Sequence, residues 1–211
     1  MSRSARAFRA LAMPVALGAL TLLAAAPAPA QTGDSTVSDS SPRFPAVEGR
    51  SLAGRSMHLP ADFDGDLNLA VVAFKRHQQD DVDTWMPQLR ALAAQQPGLH
   101  VYELPTLSGG YRIMRSFIDG GMRRGIPDSA VRAATVTLYI DKRPFKAALR
   151  IAGEDSIQLF LVERGGRIRW RAAGRYAADA FAQLQSAVTA WKRRSGAGET
   201  PAARGSAASP P

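Results

Sequence analysis

The sequence predicts an α/β fold, a three-layer α/β/α sandwich around a mixed β-sheet with one inserted strand–helix unit. Residues 67–74 form a nearly continuous apolar run, which is typical of a central strand covered on both faces. Strand patterns then alternate with helix patterns as far as Gly165 and Gly166, which separate two final strands and indicate a hairpin. Alternating strands and helices favour parallel crossovers, and the hairpin makes the sheet mixed.

The individual elements follow from hydrophobic periodicity and from their start and stop residues. The predicted order is strand 67–74, a helix from Asp80 or Asp81 to residue 96, strand 99–104, helix 108–125, strand 135–140, a short helix from Pro144, strands 157–163 and 167–173, and a last helix ending at Arg194. Pro87 lies inside the first helix and should kink it. Gly120 and Gly121 interrupt the second helix, whose apolar residues Ile113, Met114, Phe117 and Ile118 share one face.

The chain divides into four segments. Residues 1–30 have the features of an export signal, with a basic start, an apolar stretch and a small-residue cleavage site, and an uncleaved membrane anchor is the alternative. Residues 31–43 and 195–211 have almost no apolar side chains to bury and are predicted to be a disordered leader and a disordered tail. Residues 44–194 form one domain. We therefore expect an exported protein, either periplasmic or secreted.

Composition excludes several classes of function. The chain has no cysteine, which rules out thiol chemistry, disulfides and lipoprotein anchoring. Three of its 27 Lys and Arg residues lie in the signal, so the mature chain carries a formal charge of +6. These basic residues are spread over several elements without interleaved aromatics, so we expect no nucleic-acid partner. No Gly-x-Ser-x-Gly turn and no nucleophile–base pair is visible, and we expect neither an enzyme nor a cofactor.

The order of elements resembles the thioredoxin-like superfamily over most of residues 44–191. In that family a proline follows the second active-site cysteine by five residues, so Pro87 places the two cysteine positions at Gln79 and Val82. Neither residue can act as a nucleophile. The resemblance also implies a cis-proline near Ser156, where this chain has none. It identifies His77, Gln79 and Val82 as a vestigial active-site turn.

The second half of the chain resembles the family of the mitochondrial ATP synthase assembly factor numbered ten and its bacterial relatives. The matching motifs are Met122-Arg123-Arg124-Gly125-Ile126-Pro127, Thr137-Leu138-Tyr139 with Phe145 and Leu149, and Ile168-Arg169-Trp170 leading to Gly174. That resemblance implies a non-enzymatic factor that helps to assemble a membrane complex.

Four arginines around the second helix are the best candidates for a binding surface: Arg112, Arg115, Arg123 and Arg124. Guanidinium groups pair with phosphate and carboxylate, so we expect an acidic protein partner in the envelope or an anionic membrane surface. The alternative is a solvated helix face. As a second function we consider a small-ligand binder that uses a cleft between His77 and Ser156.

Three further groups have ordinary explanations beside functional ones. Asp80, Asp81 and Asp83 have the chemistry to bind Ca²⁺, but they also complement a helix dipole, and we expect no metal. His77 either contacts a ligand or is a solvent-exposed loop residue. Arginines at alternate positions are predicted to share one face of a strand at the sheet edge, where charge discourages aggregation: Arg167, Arg169 and Arg171.

Overall fold

A computed structural model describes residues 42–197, so the predicted export signal, nearly all of the leader and most of the tail lie outside the described residues. The strands are β1 (Val47–Ser51), β2 (Ser56–Leu59), β3 (Leu67–Ala73), β4 (Leu99–Ser108), β5 (Val136–Ile140), β6 (Gln158–Glu163) and β7 (Ile168–Ala173). The α-helices are α1 (Gln79–Gln95), α2 (Arg115–Gly125), α3 (Ser129–Ala134), α4 (Lys142–Ala148) and α5 (Ala178–Ala197). Two 3₁₀ helices, Arg76–Gln78 and Gly109–Met114, precede α1 and α2.

The seven strands form one mixed sheet in the order β2-β1-β5-β4-β3-β6-β7. The central strands β3, β4 and β5 are parallel, and the remaining pairings are antiparallel. β5 and α4 are the inserted strand–helix unit, and β6 and β7 are the predicted hairpin. The predicted fold class is therefore confirmed.

The sheet separates two hydrophobic cores, which explains the continuous apolar run in β3. Leu69 and Val71 face the core beneath α1 and α5, whereas Ala70 and Val72 face the core that contains Phe145 of α4. All seven residues of β3 are buried. Each buried Val or Leu side chain contributes roughly 1.5–3 kcal/mol relative to an exposed one, so a polar residue in place of Leu69, Val71 or Val72 would be costly.

Helix α1 is held on the sheet by an apolar stripe of the predicted spacing. Its buried residues are Val82, Trp85, Leu89 and Leu92, and Pro87 lies on the exposed side of the helix. The indole N–H of Trp85 donates to the carbonyl oxygen of Gly174 at 2.9 Å. This bond ties α1 to the segment that connects β7 to α5.

The N-terminal hairpin of β1 and β2 is absent from the sequence-based prediction. Its strands have only five and four residues, too few to display a clear alternation. Met57 and Leu59 point into the core, and β1 pairs with β5. A Cβ at Gly49 would lie 2.6 Å from the side chains of both Val136 and Leu138, so the close approach of these strands requires glycine.

The edge position of β7 is confirmed, but the prediction that its arginines share one face is wrong. Leu161 pairs with Trp170 and Val162 pairs with Ile168, so Arg169 is an extra residue in a β-bulge. The bulge reverses the alternation, and Ile168 and Trp170 therefore pack into opposite cores. Arg169 instead donates to Glu163 at 2.6 Å.

Candidate functional site

The turn that the sequence resemblance predicts to be a vestigial active site lies at the start of α1 and includes Gln79 and Val82. Gln79 is exposed, whereas Val82 is fully buried in the core. His77 is exposed in the preceding 3₁₀ helix. Of the three predicted turn residues, Gln79 and His77 are thus accessible, and neither supplies thiol chemistry.

The gap between the turn and residues 154–156 is spanned by Gln78, a residue that the sequence did not single out. Its side-chain oxygen accepts from the backbone N–H groups of Phe74 at 2.8 Å and Lys75 at 3.1 Å. Its amide group donates to the carbonyl oxygen of Glu154 at 2.7 Å. Lys75 also pairs with Asp155 at 2.6 Å. These contacts join the turn to residues 154–156, across the position of the predicted cleft between His77 and Ser156.

A buried acid lies close to the vestigial turn. Glu103 is on β4, on the same face as Leu99 and Val101, and burial raises the pKa of its carboxyl group, while a hydrogen bond from Gln79 lowers it in part. A carboxyl group with a raised pKa is a common feature of functional sites and also of structural ion networks, and Asp83 and Arg90 are the charged groups that act on Glu103.

The acidic residues at the start of α1 have partners within the protein. Asp81 pairs with Arg175 at 2.8 Å, and Asp83 accepts from the side chain of Gln79 at 3.1 Å. In the part of the chain that the structure describes, no group of three or more His, Asp or Glu residues is arranged to hold a metal ion. The Ca²⁺ alternative therefore has no structural support.

The segment from Gly109 to Gly125 exposes large apolar side chains. Tyr111 is 52% exposed, Ile113 94%, Met114 52% and Phe117 74%. The sequence placed Ile113, Met114 and Phe117 on one helix face but did not reveal that this face points to solvent. We call these four residues the apolar patch. Arg123 and Arg124 are exposed in the last turn of α2, near the same surface.

The segment is anchored to β5 by polar contacts. The hydroxyl group of Tyr139 donates to the buried carboxylate of Asp119 at 2.8 Å. Arg112 donates to the backbone carbonyl oxygen of Tyr139 at 3.2 Å. Burial and the Asp119 carboxylate raise the pKa of the Tyr139 hydroxyl group. The apolar patch is therefore held outward by bonds beneath it.

Between this segment and the N-terminal hairpin lies a cleft of about 150 Å³, which we call the arginine cleft. It is lined by Glu48, Gly49, Arg50, Ser56, Met57, His58, Arg112, Arg115, Thr137 and Tyr139. The four candidate arginines are thus divided, because Arg112 and Arg115 line the cleft whereas Arg123 and Arg124 do not. The sequence pattern did not identify Arg50 because it did not predict the hairpin of β1 and β2 that carries this residue.

Comparison with known proteins supports the fold. No protein-family model and no curated protein matches the sequence. A protein from Aquifex aeolicus assigned to electron transfer is similar in structure, with 9% identity, 70% of this chain and 95% of that chain covered and a TM-score of 0.51. BsSco, a member of the Sco family of cytochrome c oxidase assembly proteins, is 13% identical, and the match covers 71% of this chain and 95% of BsSco with a TM-score of 0.49. The thioredoxin domain of a thiol-disulfide oxidoreductase from Bacteroides vulgatus is 19% identical, and the match covers 71% of this chain and 98% of that domain with a TM-score of 0.47.

The likeness to the Aquifex aeolicus protein bears on the fold alone, an α/β sandwich around a mixed sheet, and the sequence contains no cysteine. No helix within residues 42–197 has the length and apolar character that crossing a membrane requires.

Proposed function

We propose that this chain is a redox-inactive interaction protein of the cell envelope that docks a protein partner through the apolar patch and the arginines beside it. The observation that carries the proposal is the exposure of Tyr111, Ile113, Met114 and Phe117 within seven consecutive positions. Scattered exposed apolar residues are normal, but a contiguous group marks an interaction surface.

The composition of the surface favours a protein partner. Tyr, Phe, Met and Arg are the residue types enriched at the centre of protein interfaces. The exposed guanidinium groups of Arg123 and Arg124 have no hydrogen bond or ion pair to another described residue, so they complement an acidic rim on the partner. An assembly role at a membrane complex, as the sequence resemblance implies, is the more specific form of the proposal and rests on that resemblance alone.

The envelope location rests on the predicted export signal. The absence of enzymatic activity rests on the missing cysteines and on the turn sealed by Gln78.

Crosslinking and affinity capture of the tagged mature chain from its own envelope fraction tests the proposal, followed by binding measurements with the purified partner. The variant Ile113→Ser with Phe117→Ser should abolish binding while stability stays within about 0.5 kcal/mol, because both side chains are exposed. Arg123→Ala with Arg124→Ala should slow association. Arg193→Ala with Arg194→Ala, at exposed positions of α5, is the charge-matched control.

Two results would reject docking of a protein partner at this surface. One is unchanged binding by the Ile113→Ser, Phe117→Ser variant. The other is recovery of no specific protein together with binding to anionic vesicles that the Ile113→Ser, Phe117→Ser substitutions abolish, which would assign the surface to the membrane instead.

A further inference from the structure

The arginine cleft is built on one face of the sheet. Arg50 of β1 lies opposite Thr137 of β5 and Ser56 of β2 in the strand register, and Glu48 lies opposite His58. The alternate residues of the same strands, which include Met57, Leu59, Val136 and Leu138, fill the core on the other face. On this polar face, Arg112 and Arg115 from the segment after β4 complete the lining of the cleft.

Positive charge exceeds negative charge in the lining of the cleft. The Arg50 side chain is half-buried, and no hydrogen bond or ion pair joins the guanidinium group of Arg50 or Arg115 to another described residue. The Asp119 carboxylate, which accepts from Tyr139 of the lining, is a further negative group nearby. Arg112 donates to a backbone carbonyl oxygen rather than to a carboxylate. Glu48 is the one acidic residue of the lining, and it lies 3.6 Å from His58. Arg112 and Arg115 are exposed at the mouth of the cleft and Arg50 is half-buried, and three guanidinium groups around one concave site attract an anion.

A buried hydroxyl group in the same cleft also lacks a partner. The Oγ1 atom of Thr137 is inaccessible and makes no hydrogen bond to the protein. Buried polar atoms nearly always have a partner, so this hydroxyl group calls for an ordered water or for a ligand group that reaches it when the cleft is occupied. This observation is independent of the charge argument, and both concern the same cleft.

We propose that the arginine cleft binds the phosphate group of a phosphate monoester. Three arginines against one glutamate match the charge of roughly −1.5 to −2 on such a group at neutral pH, and guanidinium groups bind phosphate bidentately. A volume of about 150 Å³ is smaller than the roughly 300–1,000 Å³ of sites that enclose a whole small molecule. The cleft therefore takes a phosphate-sized group, and the rest of the ligand lies outside it.

Titration calorimetry of the mature chain with inorganic phosphate and with glycerol 3-phosphate tests the site. Arg50→Ala should weaken binding at least tenfold, Arg50→Lys should restore part of the affinity, and Arg123→Ala, which lies outside the cleft, should leave it unchanged. Equal affinity of wild type and Arg50→Ala for both compounds would mean an adventitious ion only and would overturn the proposal.

Thr137→Val separates a binding role from a structural one. The change removes a hydroxyl group that has no protein partner, so the melting temperature of the phosphate-free protein should hold or rise. Affinity for phosphate should nevertheless fall severalfold. A lower melting temperature with unchanged affinity would show that Thr137 is structural and would remove its support for the site.

Two sources of a phosphate monoester are distinguished by vesicles of phosphatidylcholine with and without phosphatidic acid. Binding that requires phosphatidic acid, depends on Arg50 and is displaced by glycerol 3-phosphate identifies a lipid headgroup. Arg50-dependent binding of glycerol 3-phosphate without vesicle binding identifies a soluble ester. No Arg50-dependent binding in either experiment rejects the site. The Ile113→Ser, Phe117→Ser variant should bind phosphate normally, so failure of the docking surface and failure of the cleft are distinguishable.

Discussion

Removal of one hydroxyl group should release α2 from the sheet without unfolding the domain. In Tyr139→Phe the Asp119 carboxylate loses the hydrogen bond that Tyr139 donates at 2.8 Å and stays buried. Hydrogen bonds to charged groups contribute roughly 1.5–3 kcal/mol. Because about 1.4 kcal/mol is a tenfold change in an equilibrium constant, the open state of the segment should be populated about 10- to 100-fold more.

Amide hydrogen exchange measures this opening residue by residue. The amides of α2 should exchange faster by that factor, whereas those of β3 should change little. Tyr102→Phe is the matched control, because Tyr102 donates to Asp64 at 2.9 Å at a site remote from α2. The reasoning fails if Tyr139→Phe leaves α2 exchange unaltered, or if it accelerates exchange equally across the sheet.

Three further substitutions test the rest of the structure. Gln78→Ala should cost roughly 1–3 kcal/mol because it leaves buried backbone groups unpaired, whereas Gln79→Ala at the neighbouring exposed position should cost little in urea unfolding. Glu103→Gln should stabilise the protein at neutral pH but not in acid. Burial raises the pKa of the Glu103 carboxyl group above its ordinary 4.5, so the folded wild type holds this proton more tightly than the unfolded chain. The stability gained from that proton is fully present below pH 4.5 and is lost as pH rises through the folded-state pKa. Gly49→Ala should cost roughly 1–3 kcal/mol by overpacking against Leu138, measured by thermal unfolding.

The sequence predicted those elements whose burial is two-sided or strongly periodic. β3 is buried on both faces, and its apolar run identifies it without knowledge of its neighbours. α1 buries Val82, Trp85 and Leu89 at helical spacing, and Pro87 did not obscure that pattern. In these elements the local pattern and the tertiary environment agree, so pattern alone sufficed.

The candidate site depends on long-range pairing that no local pattern records. Arg50 becomes part of the arginine cleft only because β1 pairs with β5, across more than eighty residues of sequence. In the same way, the spacing of the apolar side chains in residues 111–117 is typical of a helix face that packs on a sheet. Their exposure follows instead from Asp119, a charged residue that takes the inward position by bonding to Tyr139.

The loss of cysteines and the position of the candidate surfaces are connected through Gln78. A turn that presents a reactive group must leave the space in front of it open to a substrate. Here the buried Gln78 side chain instead bonds to the backbone of Phe74 on one side and to the backbone of Glu154 on the other. These bonds fix the turn to residues 154–156, while His77 and Gln79 stay exposed. The exposed apolar side chains and the arginines of the cleft lie on the segment after β4 and on the N-terminal hairpin. The scaffold is therefore expected to bind at that other edge of the sheet, and variants at Gln79 should leave both proposed binding activities unaffected.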